Sequence, residues 1–308
     1  MDIKITPSEA GITIREYLRG RLGYSSAMLK KLKFTDGGIT VNGKFVTVRH
    51  VLSEGEVLSL MSEDREEDTS PYIIPSDAMI DVVYEDEHIT AVNKPSDMPA
   101  HPSFGHRDDT VANALAARYS DKPYVFRPVN RLDRDTSGIM LTANTRLASY
   151  KMYRLMTDGR IRKSYIAVLC GVPDKDSGRI ESFMRRKEGS IVEREECGMD
   201  DGGKVAVTEY RVLVKNGAYS VVLASPITGR THQLRVHFAG INCPIIGDSM
   251  YGEASDLIPR QALHAVRTEF PHPITGAPLC LTASIPEDIR AVMYKLFGNA
   301  ADEVVKLF

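Results

Sequence analysis

Two aspartates and three arginines lie within nine residues of the stretch 127–138, which makes it the most informative part of the sequence for chemistry. The stretch is polar and leads into a predicted strand, and catalytic groups concentrate in loops that rigid elements hold. An arginine beside an aspartate keeps the carboxylate ionised, which suits a nucleophile or a general base. A surface turn, in which Asp and Ser side chains bond their own backbone, accounts for the same residues. The pattern alone leaves open both a catalytic loop around Asp133 and an ordinary turn.

A second polar group, in the stretch 225–238, lies at the start of a helix predicted over 231–239. His232 and Arg235 are three residues apart and are therefore neighbours on one helical face. The helix N-terminus beside Arg230 favours an anion. His232 and His237 are five residues apart, so they lie on different sides of the helix and predict no metal site. A helix with an exposed basic face also fits this stretch.

Two further stretches carry candidate residues whose simplest interpretation is structural. Tyr165 stands at the head of an apolar run over 165–169, a position where tyrosine usually fills a core or a sheet edge. Residues 93–102 contain three prolines, which favour an extended, turn-rich loop. Taken alone, both stretches are explained better by packing and loop geometry than by chemistry.

The elements that must position these stretches are predicted from periodicity. Short β-like runs occur at 80–84, 89–92, 138–141, 165–169 and 219–223, and helical segments near 108–119, 146–157, 231–239 and 286–296. Their order has no regular βαβ alternation, and no glycine-rich phosphate loop follows a strand. The predicted fold class is therefore α+β, with a mixed, mostly antiparallel sheet in the larger part of the chain.

The first 60 residues predict a smaller α+β unit with a basic surface. Two short helices are expected over 12–34, then a hairpin over 39–48 whose turn is Asn42 and Gly43, and a last strand at 57–60. Between residues 15 and 49, eight basic residues stand against two acidic ones, a local charge of +6 (8 − 2). Such a cluster is either a solvated helix face or a nucleic-acid surface. The basic residues are Arg15, Arg19, Arg21, Lys30, Lys31, Lys33, Lys44 and Arg49, and the acidic ones are Glu16 and Asp36.

Composition bounds the class of protein and its division into domains. The 308 residues are 43% hydrophobic and 26% charged, as in ordinary globular proteins, and the net charge of −2 means that an anionic partner must meet a local patch. Four scattered cysteines predict neither a zinc site nor a disulfide scaffold. No stretch predicts a signal peptide or a membrane span, so a cytoplasmic location is expected. The acidic stretch 63–77 predicts a linker between a small domain over 1–62 and a large domain over 78–298, with a tail over 299–308.

These stretches, in this order, resemble the RluA family of RNA pseudouridine synthases over about residues 79–290. Residues 93–102 look like its first motif, 131–133 with 136–138 like its catalytic motif, 163–165 like the segment with the active-site tyrosine, 229–237 like its final motif, and 263–265 with 270–273 like its C-terminal pattern. One such motif is weak evidence, whereas four in order are specific. Asn130 stands where the family usually has histidine, which puts a titrating role at that position in doubt.

The resemblance implies that Asp133, Tyr165 and Arg235 are the catalytic residues. Asp133 would act at the sugar, Arg235 would hold it ionised and aimed, and Tyr165 would stack on the uracil and assist loss of the proton from carbon 5. The reaction needs neither a cofactor nor a metal, because nothing is oxidised and no group is imported. The expected substrate-binding residues are Asn130, Arg131, Thr136, Arg230, His232 and Gln233.

Residues 11–60 resemble, more loosely, a small RNA-binding domain of the ribosomal-protein type, which implies structured RNA as the partner. Large-subunit ribosomal RNA is the expected target, transfer RNA is the alternative, and a monomer is expected. Two other classes stay open: a non-catalytic RNA-binding protein on the same scaffold, and a glycoside hydrolase that uses Asp133 and Asp135 as its carboxylate pair. The expected RNA contacts are Arg15, Arg19, Lys30, Lys31, Lys33 and Lys44.

Overall fold

The computed structural model describes residues 2–24, 26–35, 37–61, 64 and 68–308. The side chain of Lys31, one of the expected RNA contacts, lies outside the described part, as do residues 63 and 65–67 of the expected linker. No helix in the described ranges is long and apolar enough to cross a membrane.

The N-terminal unit is built on a four-stranded antiparallel sheet. Its strands are β1 (Asp2–Lys4), β2 (Ile39–Val41), β3 (Lys44–Phe45) and β4 (Val57–Leu60), in the order β1-β4-β2-β3. Asn42 and Gly43, with φ of 50° and 78°, form the turn of the predicted hairpin between β2 and β3. The second strand of that hairpin is shorter than expected and ends at Phe45. The carbonyl of the buried Val48 instead accepts a hydrogen bond from the N–H of Arg15, at the start of the first helix.

Two helical segments pack on this sheet. They are α1 (Ile14–Glu16), which continues as a π-helical turn over Tyr17–Arg21, and α2 (Ser26–Phe34). Ile14, Leu18 and Leu58 belong to a separate hydrophobic core for this unit, and Leu147 from the large unit also joins that core. The basic helices therefore lie on a scaffold with a core of its own, in contact with the rest of the chain.

A ten-stranded sheet forms the centre of the large unit. Its strands are β5 (Asp81–Glu85), β6 (Ile89–Lys94), β7 (Ser137–Ala143), β8 (Arg162–Cys170), β9 (Ser177–Arg186), β10 (Arg194–Cys197), β11 (Lys204–Lys215), β12 (Tyr219–Pro226), β13 (Leu263–Pro271) and β14 (Pro278–Thr282). Nine follow the order β10-β9-β11-β12-β8-β13-β7-β6-β5, and β14 pairs with β13. Among the described strand pairs of this sheet, all are antiparallel except β13 with β7. The predicted α+β fold with a mostly antiparallel sheet is confirmed.

Helices cover both faces of this sheet. They are α3 (Val111–Arg118), α4 (Arg146–Thr157), α5 (Gln233–Gly240), α6 (Glu287–Phe297) and α7 (Ala301–Val305). Along β7, Met140 joins the core with α3, α5, α6 and α7, whereas Ile139 and Leu141 join the core with α4. Successive strand residues point to opposite faces, so β7 is buried on both sides and is a rigid support for what precedes it.

Both stretches expected to be loosely attached are bonded to the large unit where they are described. Asp64 is 5% exposed in its side chain, and both carboxylate oxygens accept from the Arg127 guanidinium at 2.5 and 2.8 Å. Arg146 pairs with Asp68. Residues 299–308, expected to be a tail, contain α7, whose Ala301 and Val304 are buried in the main core. The C-terminus is packed because its apolar residues recur three apart on one helical face.

Candidate active site

Asp133 lies in a tight turn that leads directly into β7. The segment before the turn runs along β7, where the N–H of Val129 donates to the carbonyl of Leu141 at 2.8 Å. The turn closes with the N–H of Thr136 donating to the carbonyl of Asp133 at 3.1 Å. The Asp133 side chain is 25% exposed, whereas Leu132 and Thr136 are buried. A buried strand thus presents one partly exposed carboxylate.

Gly138, the second residue of β7, occupies a position that glycine alone fits. Its φ of 113° lies in a region that residues with a side chain rarely adopt, and a Cβ there would lie 2.3 Å from the carbonyl oxygen of Ala265. This is the place where β7 and β13 pair in parallel. The glycine after the catalytic stretch is therefore required by the close approach of two main chains.

The start of α5 faces Asp133. Nη1 of Arg235 lies 3.5 Å from one carboxylate oxygen of Asp133, and Nε2 of His232 lies 3.9 Å from the other. Asp135, by contrast, turns its carboxylate to the neighbouring Arg134 at 2.9 Å. The two aspartates consequently have different partners and do not form a facing pair.

Arg235 is held chiefly by Asp248, a residue that no sequence motif marks. Nε and Nη2 of Arg235 donate to the two oxygens of Asp248 at 2.6 and 2.8 Å, and Asp248 is buried. Burial opposes the charge of Arg235, but the hydrogen bonds and charge of Asp248 outweigh it and raise the arginine's pKa. The predicted pairing of Arg235 with Asp133 is therefore the longer of its two ion pairs, and Asp248 fixes the guanidinium that Asp133 meets.

Tyr165 lies on β8, one of the central strands, beside Asp133. It is buried, and its main chain pairs with Ala224 of β12 and Ala265 of β13. Burial, and to a lesser degree the charge of Asp133, raises the pKa of its hydroxyl. The hydroxyl is therefore protonated at neutral pH, and the three residues predicted to be catalytic lie together.

The proline-rich stretch 93–102 contributes a buried cation behind the Asp133 turn. Lys94 has no exposed surface, and its ammonium donates to the carbonyls of Pro95, Met98 and Arg134 at 2.7, 2.9 and 2.7 Å. Burial lowers its pKa to about 7, and the charges of Asp135 and Asp133 oppose this shift. Lys94 thereby ties the proline-rich loop to the turn, and its role is to hold the loop in place.

A second buried cation, Arg260, clamps the other side of the turn. It makes two hydrogen bonds to Asp288 at 2.7 and 2.9 Å and donates to the main-chain carbonyl of Asp135 at 3.0 Å. Beside it, the amide of Gln261 donates to the hydroxyl of Thr136 at 3.2 Å. Two segments that are distant in sequence, one with Lys94 and one with Arg260 and Gln261, thus fix the turn.

The six expected substrate-binding residues fall into two groups. Asn130 accepts from the N–H of Leu141 at 2.8 Å, Gln233 donates to the carbonyl of Val207 at 2.9 Å, and Thr136 bonds Gln261. These three side chains bond the protein's own main chain and side chains, and their contact with substrate stays a prediction. Thr136 and Gln233 are buried, whereas Asn130, Arg131, Arg230 and His232 keep exposed or partly exposed surface.

The basic residues of the N-terminal unit are exposed. Arg15, Arg19, Lys30, Lys33 and Lys44 all lie at the surface. Exposed aromatic rings stand beside two of them: Phe34 is 77% exposed next to Lys33, and Phe45 is 68% exposed next to Lys44. Cations interleaved with aromatic rings are typical of surfaces that bind nucleic-acid strands.

Four residues that build or adjoin the site were not predicted from the sequence: Lys94, Asp248, Arg260, and Tyr251, whose hydroxyl lies 2.8 Å from Nδ1 of His232. The sequence did contain a signal for Lys94. A lysine at the end of an apolar strand is expected to be buried, and its ammonium then needs hydrogen-bond acceptors nearby. Asp248 left a weaker one, since a buried arginine on a helix requires a carboxylate but nothing in the sequence says which. Tyr251 and Arg260 lie in the long segment between α5 and β13, where no periodicity marks them.

Comparisons with known proteins agree with this geometry. A sequence profile described as RNA pseudouridylate synthase matches residues 88–240. Bacillus subtilis YjbO, named an RNA pseudouridine synthase, is 35% identical over 92% of this chain and 98% of its own length. The Pseudomonas aeruginosa ribosomal large subunit pseudouridine synthase D is 36% identical over 82% of each chain. The solved structure of human RNA pseudouridylate synthase domain containing 1 matches with a TM-score of 0.59 and 28% identity, over 70% of this chain and 88% of that one.

Fold, site and comparisons together define an enzyme that isomerises uridine in RNA. The chain belongs to the RluA family of RNA pseudouridine synthases. The predicted family and reaction are confirmed, and the glycoside hydrolase and the non-catalytic binding protein are excluded as descriptions of the chain.

Proposed function

We propose that this enzyme modifies uridines of large-subunit ribosomal RNA and that Asp133 is the group that acts on the sugar. The observation that carries the second part is the placement of the partly exposed Asp133 carboxylate 3.5 Å from Arg235, in the turn that leads into a buried strand. A guanidinium at this distance offers the carboxylate a charge-assisted hydrogen bond. An ionised carboxylate is what attack at the anomeric carbon, or removal of the neighbouring ribose proton, requires.

The chemistry breaks the bond from nitrogen 1 of uracil to the sugar, turns the base and forms a bond from carbon 5 to the same sugar carbon. Asp133 acts in the first step by either of the two routes. Arg235, fixed by Asp248, pairs with Asp133 and aims its carboxylate. In the last step carbon 5 loses its proton and nitrogen 1 gains one from water. Tyr165 contacts the uracil, and its protonated hydroxyl assists by accepting the proton of carbon 5 while passing its own hydrogen to water.

A uridine within a helix must leave the stack before it reaches Asp133, at a cost of a few kcal/mol for unstacking. Arg131 supports such a step, because it stands two residues before Asp133, its side chain is exposed, and no ion pair holds it among the described residues. We infer that the Arg131 side chain fills the space that the extruded base leaves in the RNA helix. Arg230, whose Nε donates to the carbonyl of Val205 at 2.9 Å, stays available to a phosphate through its remaining donors.

The N-terminal unit supports ribosomal RNA as the target. Its exposed cations and aromatic rings form a surface that suits a structured RNA, and a relative at 36% identity is named for the large ribosomal subunit. We infer that residues 1–62 are a small RNA-binding domain, that residues 63–77 connect it to the catalytic domain from residue 78 onward, and that the enzyme acts as a monomer in the cytoplasm.

The test uses RNA whose uridines carry tritium at carbon 5, prepared as separate large-subunit, small-subunit and transfer RNA fractions from a synthase-deficient strain. The protein is expected to release tritium into water from the large-subunit fraction, and mapping of the product gives the uridine. Release confined to transfer RNA would overturn the target while leaving the chemistry in place.

A further inference from the structure

The hydroxyl of Tyr251 lies between the edge of the large sheet and the start of α5. It is 2.8 Å from Nδ1 of His232, and the main-chain N–H of Arg194, the first residue of the edge strand β10, donates to it at 2.8 Å. The ring of Tyr251 also lies 5.0 Å from the guanidinium of Arg235. One side chain therefore touches two of the groups that face Asp133.

Counting hydrogens favours one tautomer of His232. A main-chain N–H can only donate, so the Tyr251 oxygen accepts from Arg194, and the single hydrogen of the hydroxyl can be donated to Nδ1 of His232. Nδ1 is then the bare nitrogen, and the neutral ring carries its hydrogen on Nε2. Nε2 is the atom that lies 3.9 Å from Asp133.

The surroundings favour this neutral ring. Burial lowers the pKa of His232, the charges of Arg235 and Arg194 lower it further, and those of Asp133 and Asp248 oppose them. The backbone of His232 is also unusual, with φ of 58° at the residue before α5. A residue other than glycine keeps such a conformation only where its surroundings hold it there.

We propose that Tyr251, anchored by the main-chain N–H of Arg194, is a positioning residue that fixes His232 as the Nε2–H tautomer and points that N–H at Asp133. The inference rests on the proposed role of Asp133. It gives the β9–β10 hairpin a part in the reaction, because the first N–H of β10 begins two hydrogen bonds that hold the ring of His232. Nε2 of His232 lies 3.9 Å from one oxygen of Asp133 and presents its N–H to that carboxylate as an oriented dipole, at a distance longer than a hydrogen bond.

Nitrogen NMR of protein with ¹⁵N-labelled histidine rings tests this directly. His232 is assigned by its disappearance in His232→Gln. In the native enzyme at neutral pH, Nδ1 of His232 is expected to give the signal of a bare nitrogen and Nε2 that of a protonated one. A protonated Nδ1 would overturn the proposal whatever the activity of the protein.

Tyr251→Phe keeps the ring and removes only the hydroxyl. We expect kcat to fall about tenfold, the effect of losing ~1.4 kcal/mol of orientation, with KM unchanged. The pKa of His232 should rise, because a donor to its neutral form is gone, so the acid limb of the kcat profile moves to higher pH. Tyr153→Phe, at a residue that is 65% exposed on α4, is the matched control and should leave both unchanged. Native His232 signals together with a native kcat in Tyr251→Phe would refute the positioning role of Tyr251.

The anchor is tested by a second pair of variants. Arg194→Ala keeps the main-chain N–H and removes the guanidinium, whereas Arg194→Pro removes both, at the first residue of an edge strand, where proline is tolerated. The tautomer should be native in Arg194→Ala and disturbed in Arg194→Pro. An equally disturbed His232 tautomer in both variants would show that the Arg194 guanidinium is responsible. It would overturn the role of the main-chain N–H. The His232 tautomer is read from NMR spectra and does not depend on catalysis. Failure of this proposal can therefore be distinguished from failure of the proposed role of Asp133.

Discussion

Two regions of this enzyme use cations in opposite ways. Around Asp133, Lys94, Arg235 and Arg260 are buried, and each is bonded to two or more oxygens of the protein. On the N-terminal unit, Arg15 and Lys30 belong to a set of cations that are exposed to water. A buried cation must be satisfied by fixed partners, so it determines geometry, whereas an exposed cation keeps its charge free for a phosphate and determines affinity.

The largest effect on stability is expected from breaking a buried pair. Arg235→Ala leaves the carboxylate of Asp248 buried without its partner, and the free energy of unfolding should fall by about 3–5 kcal/mol. Arg235→Lys keeps a charge but cannot bind Asp248 with two parallel donors while also meeting Asp133, so it should lose less stability and still lose activity. Denaturant unfolding and tritium release measure the two effects. Native activity in Arg235→Lys would contradict the positional role.

An intermediate effect, on affinity alone, is expected from the exposed cations. Replacing Arg15, Arg19, Lys33 and Lys44 together by alanine should weaken RNA binding and lower the slope of log affinity against log salt by about 3, at roughly 0.7–0.9 for each phosphate that is no longer neutralised. The fold should be unchanged. The matched control replaces four exposed cations of the large unit, namely Arg179, Lys215, Lys295 and Lys306. An unchanged salt slope in the first variant would remove the N-terminal unit from the RNA interface.

The smallest effect is expected where a surface arginine pairs with surface carboxylates. Arg179 lies 3.0 Å from Glu181 and 3.6 Å from Glu209, and all three side chains are more than half exposed. Arg179→Ala should change the free energy of unfolding by less than about 0.5 kcal/mol. The same change to alanine is thus made at a buried and at an exposed arginine, so a difference in the loss of unfolding free energy is due to burial. Similar losses at Arg235 and Arg179 would contradict the distinction between buried and exposed cations.

Much of the fold could be predicted because local patterns coincide with the final elements. α4 begins and ends where periodicity placed it, at 146–157, and the hairpin turn at Asn42 follows from residues that accept positive φ. The predicted continuation of the strand over 46–48 was wrong, because the main-chain carbonyl of Val48 accepts a tertiary hydrogen bond from the N–H of Arg15 instead. The terminal helix α7 was missed because five residues show too little periodicity.

The residues predicted to react could be identified from the sequence, but the residues that hold them in position could not. Asp133, Tyr165 and Arg235 could be found from short motifs, and the structure brings them together. Asn130, Thr136 and Gln233 bond the protein's own main chain and side chains, which could not be predicted because a motif names a residue and does not say which way its polar atoms point. Their contact with substrate stays a prediction. Asp248 left only the weak signal of a buried arginine that needs a carboxylate, and Tyr251 left none, since their partners are fixed only when α5 meets the segment after it.

The most direct test of the account is tritium release by Asp133→Asn, with RNA binding measured on the same preparation. Asparagine keeps the shape of the side chain and removes its charge, so binding should remain near native while release falls below detection. Asp97→Asn is the matched control, because Asp97 is 82% exposed in its side chain and has φ of 59°, a conformation that asparagine also accepts. It should be fully active. Release at the native rate by Asp133→Asn would contradict the assignment of Asp133 as the carboxylate that acts on the sugar.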